Sequence, residues 1–443
     1  MIPQLRQLSA LRSVRRHPHV AREEILAFQN ERLRCLIAHA YQKVPYYRRL
    51  FDLNGIKPGD IRTVADLAVI PITSKKELQA LPAEELVARG WDPSDLILHR
   101  TSGSSGEPFT IRRTWFDERL LTAFQIRALH SFGLSMTDKR AHIGLVRPRQ
   151  SQDIQLPMRI LQSAGLYRTI RIDCRQPQEQ IVRKMRELRP DVFTGFPGVL
   201  ARLAQTVNDD DRRAIRPKFV VSGGEVLTPH MRREVSETFR APIFDTFGAH
   251  EFKLIAWQCK ESGELHTCDD SVILEVLRDG RPAREGERGE VVGTNLHSFA
   301  MPFIRYRLGD VVTKGSETCS CGQPFSTIRN VQGRMLDYFL LPHGRVIHPY
   351  EIVMTLLSEA PWLQQYRLIQ EREDRILLQI VPFTTPPSEQ LTLLTDRVTK
   401  ALRPDVKFEI VLVPEIPLEP SGKFRVSRSL VKSSYDGIDW NQL

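Results

Sequence analysis

Between residues 176 and 251 the sequence switches repeatedly between two hydrophobic periods, and no other feature restricts the fold as much. Residues 181–188 read as a helix, 191–196 as a strand, 197–207 as a helix, 218–222 as a strand, 229–239 as a helix and 243–247 as a strand, with short connections throughout. Alternation of this kind predicts a parallel sheet with crossover helices. Ligands of such sheets bind beyond the carboxyl ends of the strands. The turns Gly195-Phe196-Pro197, Ser222-Gly223-Gly224-Glu225 and Phe247-Gly248-Ala249-His250-Glu251 are therefore expected to face one crevice.

A chain of 443 residues has room for two or three domains around a large core. No run of residues approaches the length of apolar sequence that spans a bilayer. The first sixteen residues are basic but lack the apolar centre of a signal peptide, so a cytoplasmic protein is expected, with weak surface contact to membrane through the basic arm as a lesser possibility. The net charge of +10 fits a protein that handles polyanions, either nucleic acid or phosphorylated small molecules. A nucleic-acid reader would want a basic stripe interleaved with aromatics or a known reader module, and neither is evident. Oligomeric state is not legible, and monomer and homodimer both stay open.

Upstream, residues 21–41 carry apolar positions at three- and four-residue steps and read as an amphipathic helix, broken by Val44-Pro45-Tyr46-Tyr47. Ser74 followed by Glu77 marks a helix start. Residues 115–132 read as a helix. From 271 to 314 the texture changes to short strands at 272–277, 289–292 and 301–306, which predicts a small β-barrel or sandwich. The remainder reads as an α+β tail with a helix at 352–357, strands at 365–370 and 375–381, a helix at 391–402 and a strand at 408–413. The fold class is α/β: a large N-terminal domain with parallel α/β sheets and a small β-barrel, followed by a small mobile α+β C-terminal domain.

Two stretches carry chemistry on their own terms. The loop Thr101-Ser102-Gly103-Ser104-Ser105-Gly106-Glu107-Pro108 lies between two short strands, and its hydroxyls and glycines can turn donors toward one anion. It lacks the Lys-Ser or Lys-Thr of a Walker loop. Read in isolation, it is equally a flexible polar turn. The second stretch is a cysteine cluster. Six cysteines are too sparse for a disulfide scaffold. Cys259 with His266, and Cys319 with Cys321, supply four ligands suited to a closed tetrahedral Zn²⁺ site, with Cys268 as a spare. Reduced buried thiols or a redox pair are the competing readings.

Taken in order, Tyr41-Gln42-Lys43-Val44-Pro45-Tyr46-Tyr47-Arg48, the 101–108 loop, Ser222-Gly223-Gly224-Glu225, the 247–251 turn, Tyr306-Arg307-Leu308-Gly309-Asp310, Gly333-Arg334 and Pro420-Ser421-Gly422-Lys423-Phe424-Arg425 resemble the adenylate-forming superfamily. Within it they resemble the branch of phenylacetate-CoA ligase and the CapK group, from about residue 33 to the C-terminus. The resemblance implies ATP- and Mg²⁺-dependent activation of a small-molecule carboxylic acid, with aryl acids among the candidates, followed by transfer to coenzyme A. Transfer of the acyl group or of AMP to an amine, hydroxyl, carrier protein or cofactor is the alternative.

It further implies that Thr101, Ser102, Gly103, Ser104, Ser105 and Gly106 grip the β/γ-phosphates. Phe109 replaces the lysine that many members carry after the proline. Glu251 would hold Mg²⁺. Gly224, Glu225, Phe247 and Gly248 would surround the adenine, with Phe247 in place of a frequent tyrosine. Asp310 would bind the ribose hydroxyls, Arg334 the ribose and phosphate, and Lys423 would bridge the attacking carboxylate and the α-phosphate. The implied domains are 1–333 for adenylation, a hinge at 334–337, and a lid at 338–443. Some relatives resemble the Cys/His arrangement and use it structurally. The acyl pocket is expected around Gly195-Phe196-Pro197-Gly198, the helix over 124–132, and residues 142–146.

Overall fold

The computed structural model describes residues 12–100, 109–146, 161–334, 339–347, 349, 352, 362–402, 405–417, 419 and 426–431. Two compact units share the chain: residues 1–136 with 244–332, and residues 137–243 with 333–443.

In the first unit, the helix Arg22–Lys43 buries Ile25, Leu33, Leu36, Ile37 and Ala40 as its periodicity predicts, with Gln29 buried and the expected Phe28 only half-buried. Pro45 ends that helix by opening another, Pro45–Leu53, because its missing N–H costs nothing at a first helical position. Ser74 caps Lys75–Gln79 by accepting the Glu77 amide at 3.2 Å. The strands that flank residues 101–108 in sequence, Ile97–Arg100 and Thr110–Arg113, pair antiparallel. The helix Trp115–Ser131 follows, with a capping box of Thr114 and Asp117.

The rest of this unit is an antiparallel ladder. Val272–Arg278 pairs with Arg288–Asn295, which pairs with Tyr306–Lys314. Thr327–Arg334 pairs with Leu265–Thr267, which pairs with Ala256–Gln258. One sequence expectation fails here, since residues 301–305 are not a strand and pairing begins at Tyr306. Pro302 cannot donate to a ladder, and Arg305 adopts φ 46°. That backbone aims the Arg305 guanidinium at Glu275 (2.9 Å) and at the carbonyls of Ala68 (3.0 Å) and Ile70 (2.6 Å). Met301, Phe303 and Ile304 are buried nonetheless, so the apolar run serves the core without pairing.

In the second unit, four parallel strands stand in the order Phe219–Gly223, Val192–Gly195, Arg140–Gly144, Thr169–Asp173. The helices Gln178–Leu188, Pro197–Thr206 and Pro229–Phe239 alternate with them in sequence. Their core contains Ile143, Phe193, Leu200, Leu203, Val220 and Phe239. The predicted parallel sheet is present, with two strands, Arg140–Gly144 and Thr169–Asp173, that the sequence did not reveal.

The tail contributes a four-stranded sheet in the order Lys407–Leu412, Arg375–Pro382, Leu363–Arg372, Ser427–Ser429. The helix Ser388–Leu402 adds Leu394, Val398 and Leu402 to the core formed with Leu368, Ile376 and Phe408. These match the tail strands and second helix expected. Apart from Ile352, the helix expected at 352–357 lies outside the described residues.

Within this unit a cavity of ≈ 30 Å³ is lined by Gln205, Glu234 and Tyr366 among others. Gln205 Nε2 donates to the Gln364 carbonyl at 3.2 Å, while Gln205 Oε1, Glu234 Oε2 and the Tyr366 hydroxyl find no partner among the described residues. Burial pushes the Glu234 carboxyl up to about 7, against a smaller opposing effect from Gln205. The folded state therefore holds this proton more tightly than the unfolded chain. Its stabilising contribution is full below about pH 4.5 and is lost as pH rises toward 7. Glu234→Gln is expected to flatten that decline and to stabilise the unit at pH 8 by up to about 3 kcal/mol. Urea titrations at pH 5 and pH 8 check this, and an unchanged difference between the two pH values would contradict it.

Candidate functional site

The turn that carries Glu251 is built by backbone geometry. The strand Ile243–Phe247 ends at Gly248, where a Cβ would collide with the Lys253 carbonyl oxygen, so no larger residue fits without moving the turn. Lys253 closes the turn at φ 62°, donating its amide to the Ala249 carbonyl at 2.7 Å, and the Ile255 amide returns to the Phe247 carbonyl at 2.8 Å. Glu251 ends up 7% exposed. One carboxylate oxygen accepts the Tyr306 hydroxyl at 2.8 Å, and its carbonyl accepts Asn295 Nδ2 at 2.9 Å. Among the described residues it forms no ion pair, so its charge is opposed only at longer range.

Tyr306 opens the strand that also carries Asp310. The register of that strand against Arg288–Asn295 shifts between Glu290 and Val292, and Gly309 sits at φ 80°. An irregularity of this kind can re-aim a side chain out of the ladder, and Asp310 lies within it, between the paired residues Arg307 and Val311. Phe247 is buried at the end of the strand Ile243–Phe247.

In the other unit, Gly224 takes φ 80° after the strand Phe219–Gly223. Glu225 then accepts the Gly198 amide at 3.2 Å. Two of the three turns read from the sequence, at 195–198 and 222–225, are thus joined by a hydrogen bond, as strand-end turns of one parallel sheet should be. His142 Nδ1 and Thr194 Oγ1 are 2.8 Å apart on adjacent strands of this sheet. Of the aromatics expected at the acyl pocket, Phe124 packs against His297 and Phe132 stacks on Phe244 at 4.5 Å.

Thr101, Ser102, Gly103, Ser104, Ser105, Gly106, Lys423 and the hinge beyond residue 334 lie outside the described residues, and Arg334 is described only as the end of the strand Thr327–Arg334. Four residues around Glu251 escaped the sequence reading of roles: Tyr306, Arg113, Glu118 and Lys253. Tyr306 stood in the sequence as the first residue of the motif that ends in Asp310, whereas Arg113, Glu118 and Lys253 gave no local signal.

Cys259, His266, Cys319 and Cys321 offer ligand atoms that all lie within 4.8 Å of one another. Cys319 Sγ lies 3.8 Å from Cys259 Sγ, and Cys321 Sγ lies 3.3 Å from His266 Nε2. A tetrahedron with Zn–S bonds of about 2.3 Å has S···S edges of about 3.8 Å, so the donor set fits zinc in kind and in spacing. His266 comes from the hairpin of Ala256–Gln258 and Leu265–Thr267, and Cys259 directly follows its first strand. Cys268 stands apart from the four, where it accepts from Arg127 Nη2 at 3.3 Å.

Comparison with known proteins agrees with this architecture. Residues 339–429 match the CapK C-terminal domain family. The chain is 28% identical over 380 residues to the phenylacetate-coenzyme A ligase of Thermus thermophilus, covering 80% of this chain and 79% of that one. It is 19% identical over 426 residues to Protein CapK of Staphylococcus aureus, covering 92% and 90%. A crystal structure of 2-hydroxyisobutyryl-CoA ligase in the postadenylation state superposes with a TM-score of 0.78 at 21% identity, covering 94% of this chain and 91% of that one. The fold is that of the adenylate-forming enzymes. In sequence the chain is similar to the phenylacetate-CoA ligases and to Protein CapK over most of its length.

Proposed function

We propose that this chain uses ATP to convert a carboxylic acid to its acyl-adenylate and then passes the acyl group to coenzyme A, as an AMP-forming acid-thiol ligase. The observation that carries the reading is the seat of Glu251: a buried carboxylate without an ion-pair partner among the described residues, fixed by Tyr306 on the strand that also bears Asp310. In the first half-reaction the substrate carboxylate attacks the α-phosphorus and pyrophosphate leaves. In the second, the thiol attacks the acyl carbonyl and AMP leaves.

Glu251 is the residue to hold Mg²⁺, a role that suits a hard oxygen ligand. When bound, the ion offsets phosphate charge as pyrophosphate departs. The hydroxyls of Thr101, Ser102, Ser104 and Ser105, with Gly103 and Gly106, supply donors to the β/γ-phosphates. Gly224, Glu225, Phe247 and Gly248 hold the adenine, Asp310 the ribose, and Arg334 the ribose and phosphate. Lys423, on a tail that acts as a lid, bridges carboxylate and α-phosphate. Zn²⁺ at Cys259, His266, Cys319 and Cys321 is structural. The cytoplasm, which supplies ATP and coenzyme A and keeps thiols reduced, is the compartment that fits.

Aryl acids and small hydroxy acids are the first candidates, given the names of the similar proteins. ATP–pyrophosphate exchange measured across such a panel should show exchange that depends on one acid class. ATP binding without exchange for any acid would count against adenylation. Similarity to a fumarate–(S)-2,3-diaminopropanoate ligase, 25% identical over 225 residues, favours a second reading, transfer to an amine rather than to coenzyme A. AMP release that rises with coenzyme A separates the two.

A further inference from the structure

Beside Glu251, in the same unit, lies a cluster of charge to which the reaction as described gives no role. Glu118, in the first turn of the helix Trp115–Ser131, lies within 3.0 Å of His99 Nε2 and 2.5 Å of Lys253 Nζ, and accepts Arg113 Nη1 at 3.3 Å. Lys253 also donates to Thr122 Oγ1 at 2.6 Å and to the Glu118 carbonyl at 3.3 Å. Arg113 is 1% exposed and donates its other terminal nitrogen to the carbonyl of His250, the residue before Glu251. Its charge also acts on Glu251 itself.

Two cations thus stand on either side of Glu251: Arg113 is bonded to the residue before it, and Lys253 closes the turn after it. A poorly solvated cation left without a counter-ion turns to whatever carboxylate is in reach. Three carboxylates are near. Asp117 is engaged in capping its own helix through Thr114, and burial pushes it up to about 6. Glu118 is ionised: burial opposes its charge, but the hydrogen bond with His99 and the charge of Lys253 overcome that and hold it well below the usual carboxylate range. Glu251 receives a neutral hydroxyl from Tyr306, which fixes the carboxylate without cancelling its charge.

We propose that Glu118 is a positioning residue that binds Arg113 and Lys253 and so keeps both cations off Glu251, leaving that carboxylate available to the divalent cation of the nucleotide. The inference rests on the reading that Glu251 holds that cation. It explains why a turn meant for a cation tolerates an arginine and a lysine at its edges: their charge is already met from the neighbouring helix.

Manganese, which reports on a magnesium site without turnover, gives the test. Binding of Mn²⁺-ATP to the full-length chain is titrated by electron paramagnetic resonance, for wild type, Glu118→Gln, Glu118→Asp and the double variant Glu118→Gln/Lys253→Met. Glu118→Gln should lose about tenfold or more in Mn²⁺-ATP affinity, and Glu118→Asp should recover part of it. The double variant, in which charge is again nearly balanced, should bind several-fold more tightly than Glu118→Gln alone. A merely structural role predicts the opposite, since the second substitution removes further contacts.

Equal affinities of wild type and Glu118→Gln would overturn the inference alone. No binding by wild type would overturn it together with the reading of Glu251. Lys253→Met covers the case in which Glu118→Gln does not fold. It removes a cation, so affinity should stay within about twofold or rise, and a tenfold loss would overturn the proposal.

Discussion

Lys423→Ala is expected to slow acyl-adenylate formation by about 10²–10³, the usual cost of deleting one preorganised donor at a centre of developing charge. ATP binding should survive, because the proposed grip on the nucleotide lies elsewhere: the 101–106 loop on the phosphates, Glu251 on Mg²⁺ and Asp310 on the ribose. The second half-reaction should also survive, because the acyl-adenylate no longer needs a bridge between carboxylate and phosphorus. The measurement has two arms. Pyrophosphate release from ATP and acid should fall by at least two orders of magnitude, and AMP release from supplied acyl-adenylate and coenzyme A should change by less than about tenfold. Near-normal pyrophosphate release would remove Lys423 from the reaction.

Loss of the Cys/His cluster is expected to have the largest effect on stability. The four ligands join a short hairpin, Ala256–Gln258 with Leu265–Thr267, to a loop at 319–321 that has no strand of its own. Around it the packing is aromatic, with Trp257 at 5.3 Å from both His266 and Phe325. Two three-residue strands hold little by themselves, so the cluster fixes their register and the position of the loop. Cys319→Ser should remove the bound metal and destabilise the chain by more than about 3 kcal/mol, a fall in Tm of roughly 6–12 °C at about 2–4 °C per kcal/mol. Elemental analysis should find a zinc-to-chain ratio near one in wild type. Metal-free protein with unchanged melting would favour simple buried thiols.

The parallel strands were legible where apolar β-formers run together, as in Val192–Gly195 and Phe219–Gly223. Arg140–Gly144 and Thr169–Asp173 were not, because only Ala141, Ile143, Gly144 and Ile172 of their residues are buried and charged residues interrupt both runs. The opposite error occurred at 301–305, where apolar residues are buried without pairing. Motif order pointed to Glu251 and Asp310, and the spacing of cysteines and a histidine to the four metal-ligand candidates. The residues that fix Glu251 stayed hidden, because Tyr306 is 55 positions away and the contact of Arg113 with His250 spans 137. Nothing local in the sequence encodes such contacts.

The interleaving of the two units bears on how this protein can be dissected. Residues 333–443 share a unit with 137–243, and Gln205 on the helix Pro197–Thr206 donates to a backbone carbonyl of the tail. Cutting the chain before residue 333 would therefore leave a truncated unit with the Glu234 cavity opened to water, and neither unit can be expressed as one uninterrupted stretch. Chimeras that borrow a tail from a relative face a related constraint. The bond to the Gln364 carbonyl tolerates any side chain at 364, whereas Tyr366 must be matched in size to Gln205 and Glu234.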